Sequence, residues 1–213
     1  MATEDMAAWH AAAVAASGGL QQVFAQHKSE LARIRQGPLT DSQKRREIAA
    51  SYLAAAEKVA ALKRSDTDAL DQAQQDAEEQ AFKPPASERG DINAVMAARD
   101  ARDRARQVTK PAAAGELLAE AQAAGDDSLA RAVAQHAHRA GWHEVTGKWA
   151  DSQPPEVRGH LDRWAAANHQ QSRAGNMARS MAYRVAQPPE IAGMSQGQMQ
   201  QLAAEAAGRY GGP

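Results

Sequence analysis

The sequence predicts an all-α protein, with a long antiparallel helical hairpin followed by a compact C-terminal bundle of short helices. Three observations lead there. Alanine fills about a quarter of the 213 residues, and it is the strongest helix former because ordering it costs no side-chain entropy. Apolar residues recur at helical spacing, and no run alternates with a period of two. Gly, Pro, Asp and Ser stand between the periodic runs, where helix ends use them. The same composition sets a limit. Leu, Ile, Val and Phe together fall well below the roughly 20% that accompanies a good core, and burial stabilises by only about 25 cal/mol per Å². Slender alanine-faced helices are therefore expected to need partners.

The first helix is expected over about residues 3–36. Met6, Ala13, Leu20, His27 and Ile34 recur every seven residues, and Trp9, Ala16 and Val23 form a second row that passes to Phe24 and Leu31. That drift follows from a 3.6-residue turn meeting a seven-residue repeat. Ser17-Gly18-Gly19 is an expected break, since each glycine costs about 1 kcal/mol relative to alanine. Gly37-Pro38 ends the helix. Thr40 or Asp41 caps the next, which carries Ile48, Tyr52, Ala55, Val59, Leu62, Ala69 and Ala73 on one stripe and reaches Phe82. At about 1.5 Å per residue it spans roughly 60 Å. The run RSDTDAL, with Asp66 on the stripe, is a candidate second cap and kink. The short connection makes the two helices antiparallel neighbours.

Residues 83–90 read as a Pro-rich linker between a hairpin (1–82) and a short-helix bundle (91–208), with 209–213 a loose tail. Asp91 caps a helix to about Val108, whose outer face is expected to pair Arg99 with Asp103 and Asp100 with Arg104. Pro111 opens the next helix. Gly125 stops it, and Asp126 or Asp127 caps a helix with Leu129, Ala132, Val133, His136 and Ala140 (or Ala137) on its inner face. Gly141 stops that one. Trp142, Val145 and Trp149 begin another, and Pro154-Pro155 opens a helix carrying Val157, Leu161 and Trp164. A weaker helix is expected over about 174–186, and Ser195 with Gln198 forms a capping box for the last.

Composition excludes several classes. Without cysteine there is no disulfide or thiolate metal site. A net charge of −1 gives no bulk pull toward nucleic acid or anionic lipid. The N-terminal apolar run begins acidic and is interrupted by Trp9 and His10, so no signal peptide is expected, and no stretch approaches the ~20 apolar residues of a membrane span. The expected setting is inside a cell or a particle. His136 and His138 lie about 200° apart on a helix, and His136 and His143 share a face only across Gly141, so no metal site is expected. No Gly-x-Ser-x-Gly elbow exists, and Ser65, Ser128 and Ser195 read as caps. No cofactor and no enzymatic activity are expected. Trp142, Trp149 and Trp164 read as core anchors that supply the burial alanine cannot.

Three features remain as interaction candidates. One is the stripe of Met6, Trp9, Leu20, Phe24 and Leu31 with Ile48, Tyr52, Val59 and Leu62, expected to lie against neighbouring subunits. Another is the cluster Lys44, Arg45 and Arg46, whose positive charge in a first helical turn opposes the helix dipole and so hints at a partner, with phosphate contact an open but not the favoured reading. The third is the acidic run DTDALDQAQQDAEEQ, a solvated face or a dock for a basic partner.

Residues 95–155, with ARDARDRA, GDDSLARAVAQHA and GWHEV, resemble Ala-rich helical proteins encoded in the virion structural clusters of actinobacterial tailed phages. The resemblance covers about a third of the chain and rests on helix-stop-helix patterns, so no functional residues carry over. It implies a non-enzymatic structural or assembly role in the particle, at the capsid or the head–tail junction. The partners it implies are copies of itself or other virion proteins (capsid, portal or connector), in the virion or the host cytoplasm. Two rival readings are a helix-hairpin adaptor that binds a peptide and a nucleic-acid-associated assembly factor.

Overall fold

A computed structural model describes the backbone of residues 2–88 and 90–207 and the side chains of residues 18–88 and 90–206. Among these residues the chain is all-helical, without strands. The helices are α1 (Ala2–Gln36), α2 (Asp41–Ala81), α3 (Ile92–Arg106), α4 (Pro111–Ala124), α5 (Asp127–Arg139), α6 (His143–Asp151), α7 (Pro155–Gln171), α8 (Arg173–Ala182) and α9 (Gln196–Ala207). Short 3₁₀ turns at Ala86–Glu88 and Pro189–Ile191 precede α3 and α9.

Helix ends form where the chain supplies their hydrogen bonds. Thr40 and Gln43 close a reciprocal box at the start of α2: the Thr40 amide donates to Gln43 Oε1 at 2.9 Å and the Gln43 amide to Thr40 Oγ1 at 3.3 Å. Ser195 and Gln198 repeat it at α9. Asp91 accepts from the Asn93 amide at 2.8 Å, and Asp126 from the Leu129 amide at 2.9 Å. Gly125 and Gly141, at φ 70° and 75°, take the left-handed turn that closes α4 and α5. Across them the Asp126 amide returns to the Ala121 carbonyl, and that of Trp142 to the Ala137 carbonyl.

Two breaks expected from local signals do not occur. α1 runs through Ser17-Gly18-Gly19. Gly19 faces the Leu62 side chain there, at a distance where an added Cβ would make ordinary van der Waals contact. α2 runs unbroken through RSDTDAL, where Thr67 Oγ1 donates to the Lys63 carbonyl and Asp66 accepts from Arg179. Ser65 therefore lies in a helix interior, not at a cap. α3 and α8 end earlier than periodicity predicts, at Arg106 and Ala182.

The chain divides into two units, Met1–Asp71 with His169–Pro213, and Gln72–Asn168. The Pro-rich segment 83–90 lies inside the second. In the first unit, Ile34, Ile48, Ala49, Ile191 and Met199 form a buried cluster, with Leu31, Leu39, Tyr52 and Leu202 packed on it. The C-terminal segment thus returns to cover residues of α1 and α2. Arg35 grips Glu190 with two hydrogen bonds of 2.7 and 3.0 Å, and Arg46 pairs with Glu205 at 2.9 Å. Gly175 lies where α8 turns away from α7, and a Cβ there would fall on the Gln170 carbonyl.

The second unit is organised on α5, against which α3, α4 and α6 pack. Ala130, Ala134 and Ala137 of α5 are buried, with Leu129 and Val133 beside them. Phe82, Leu118, Val145 and Trp149 close the cluster, and the Phe82 and Trp149 rings stack at 5.1 Å between centroids. The inner face of α5 holds Ala137 rather than Ala140, which is exposed. Ala134→Leu is expected to cost about 1–3 kcal/mol by forcing neighbours off their rotamers; urea unfolding followed by circular dichroism measures it. Gly175→Ala is expected to cost more than about 1 kcal/mol by the same assay, since backbone rather than a flexible side chain must move.

Candidate functional site

Helix α3 is inside out. Its inner arc is Ala94, Ala98, Ala101 and Ala105, and the last two are buried. Its large apolar side chains face away. Ile92, Val95 and Met96 are 70%, 54% and 66% exposed. At 100° per residue these three share an arc with Arg99, Arg102, Asp103 and Arg106, opposite the alanines. The outer face is therefore apolar in its first half and cationic in its second. Soluble helices ordinarily place large apolar residues inward, so the reversal calls for an explanation.

Several contacts fix this helix. Asp91 caps it. Just before it, Glu88 takes both terminal nitrogens of Arg131 of α5 at 3.0 and 3.2 Å, and both side chains are largely buried. Such a forked pair sets orientation as well as distance. Just after it, the Val108 carbonyl is 2.9 Å from His136 Nε2. On the outer face Arg106 pairs with Asp103 at 3.1 Å, and Arg102 Nε donates to the Ala98 carbonyl. Asp103 thus pairs one turn toward the C-terminus, with Arg106, and not with Arg99 as the i,i+4 spacing predicts.

The interaction residues expected from sequence fall in different places. The side chains of Met6 and Trp9 lie outside the described residues. Ile48 and Val59 are buried within their own chain, and Leu20, Phe24, Leu31, Tyr52 and Leu62 are half-buried. The α2 stripe is spent largely on internal packing and offers little to a neighbour. Of the basic cluster, Arg46 is held by Glu205, while Lys44 is half-buried and Arg45 exposed. Half of the acidic run is engaged internally as well, while Asp68, Asp76 and Glu79 are exposed. Asp66 accepts from Arg179, Asp71 from Gln171 and Glu78 from Arg139. The exposed trio on α3 went unnoticed in the sequence. Its signal was present in the spacing of Ile92, Val95 and Met96, but an alanine arc on the far side does not announce itself as the buried one.

Two histidines merit chemical scrutiny. His27 Nδ1 lies 3.0 Å from Ser51 Oγ beside a hollow of about 420 Å³ that Glu30, Glu47 and Lys58 also line. Nucleophilic catalysis needs the second ring nitrogen held by an acid. Here Nε2 is buried without a partner. His138, not His136, is the buried histidine of α5. It packs against Trp164 at 4.1 Å and Phe82 at 5.4 Å between centroids, and its Nε2 has no partner. Burial lowers its pKa from the ordinary 6.5; Glu78 opposes this and His143 and Arg139 add to it. No group of three metal-ligating side chains exists among the described residues, and no helix among them is long and apolar enough to cross a membrane. Compared with protein-family models, curated proteins and solved structures, the chain matches none.

The buried imidazole has a pH consequence. Because its folded pKa is depressed, the unfolded state takes up a proton first as pH falls. The stability that the neutral ring contributes is complete above about pH 6.5 and declines below it. Unfolding free energy is expected to fall between pH 7.5 and 5.5 (roughly the histidine range), and to fall less in His138→Phe. The residual slope belongs to His27, whose pKa is lowered by burial and by Arg35. An equal slope in the variant contradicts the assignment.

Proposed function

We propose that this chain is a non-enzymatic structural or assembly protein of a tailed-phage particle, acting at the capsid or head–tail junction through helix-mediated contacts with other proteins. The observation that carries the interaction role is the outward-turned face of α3. Each large apolar side chain of that size gains about 1.5–3 kcal/mol when buried. Three on one helix face, held by a forked ion pair and a cap, form a preorganised patch whose gain is realised only on association. Met177 and Met181 of α8, 68% and 70% exposed, add a second apolar pair on another element. The phage setting rests on the resemblance of residues 95–155, which takes in α3 from Val95 onward and not Ile92.

A peptide-binding adaptor uses a groove, and the hollow beside His27 is lined mainly by small and polar side chains. A nucleic-acid role rests on Lys44, Arg45 and Arg46, of which Arg46 is already paired. Neither rival gains an observation of its own.

Mass spectrometry of purified particles from a phage encoding this chain tests the reading. The chain is expected at a fixed copy ratio to the major capsid protein. Ile92→Glu with Met96→Glu is expected to deplete it from particles while leaving monomer stability within about 0.5 kcal/mol, as for exposed positions generally. Absence of the wild-type chain from particles contradicts the proposal.

A further inference from the structure

Resting on the interaction role proposed above, we infer that the outer face of α3 docks an acidic amphipathic helix of a different protein. The patch has two chemical halves along one helix. Ile92, Val95 and Met96 offer exposed apolar surface over the first turns, and Arg99, Arg102 and Arg106 follow on the same arc. Among the described residues no carboxylate stands within ion-pairing range of Arg99 or Arg102, while Asp103 engages only Arg106. A helix lying along α3 meets apolar surface at one end and, at the other, the guanidinium groups of Arg99 and Arg102, which no carboxylate among the described residues neutralises, beside the Arg106–Asp103 pair. Its complement carries large apolar residues on one face, with Asp or Glu beside them at the end that meets the arginines. Arginine suits this role because its planar fork takes a carboxylate with two parallel hydrogen bonds.

A second copy of this chain is a poor occupant. Side-by-side α3 helices in parallel set Arg99, Arg102 and Arg106 against their like. In antiparallel register they match apolar residues over the first turns alone. In the acidic run of α2, Asp66, Asp71 and Glu78 already hold Arg179, Gln171 and Arg139, while Asp68, Asp76 and Glu79 are exposed, so docking of a second copy through them is one outcome of the test. Nucleic acid is a poorer fit again. Phosphate contact leaves Ile92, Val95 and Met96 unused. Arginine near a helix C-terminus also complements the dipole. That accounts for cations in the last turn, but not for three large apolar side chains held in water at the first.

Fluorescence anisotropy with the full chain tests this, using two designed helical peptides of about five turns. They share one leucine face; one carries Glu at its flanking positions and the other Lys. A duplex DNA of about 20 base pairs is the third probe. The Glu peptide is expected to bind saturably and at least about tenfold tighter than the Lys peptide. Arg99→Glu with Arg102→Glu is expected to invert that preference, which a loss of folding does not do. Ile92→Ser with Met96→Ser weakens both peptides with helicity retained by circular dichroism. Equal binding of both peptides, a preference unchanged by the charge reversal, or tighter binding of DNA overturns the proposal. So does self-association that these substitutions abolish while neither peptide binds, since the occupant is then a second copy. A chain that prefers the Glu peptide but is absent from particles overturns the phage setting and leaves this inference standing.

Discussion

Close approach of backbones through alanine is the constraint on which the second unit depends. α5 contributes Ala130, Ala134 and Ala137 to the interior, and α3 and α4 answer with Ala101, Ala105, Ala114 and Ala121. Small residues on both sides of a contact let helices sit near the short end of the usual 8–10 Å separation. Each such contact buries little area per residue. The shortfall is met by a few large side chains at the margins, with Phe82 stacked on Trp149 and Leu118 fully enclosed. A methyl-sized interface tolerates no enlargement, because a packed interior has no spare volume.

This economy makes the reversal of α3 sterically possible without supplying a reason to keep its apolar residues in water. A helix that contributes alanine to the core has its larger side chains left over for the other side. In α5, which is covered by three helices, the large apolar residues Leu129 and Val133 go inward together with the alanines. α3 lies at the margin and touches the core with one arc, so the remainder faces solvent. The polar contacts around it are correspondingly specific. Glu88 with Arg131 and the Val108 carbonyl with His136 fix the two ends of the helix, and a fixed helix presents its outer face without first having to order it.

Helix ends were legible in the sequence; helix faces were less so. Caps at Thr40, Asp91, Asp126 and Ser195 and stops at Gly37, Gly125 and Gly141 read correctly, because each satisfies local backbone groups. Local breakers misled where tertiary contact outweighed propensity. Gly19 stays helical facing Leu62, and Asp66 stays in α2 with Arg179 as its partner, while at Gly18 the structure shows no such contact. Faces failed wherever alanine occupied several arcs, since hydrophobic periodicity cannot tell a buried alanine from an exposed one. His138 was missed for His136 for that reason. The return of Ile191 and Met199 to Ile34 and Ile48 joins residues about 150 apart and left no local trace. It also covers Ile48 and Tyr52, the first part of the α2 stripe that reads as an interface.

Native-state hydrogen exchange on the isolated chain tests the central claim most directly. If alanine packing around α5 organises the second unit, the amides of residues 130–138 exchange only through global unfolding of that unit and are its slowest, while the outer-face amides of α3 open at lower cost. Exchange at residues 130–138 as fast as at the start of α3 would mean that close alanine contact does not hold these helices together, and would contradict the account.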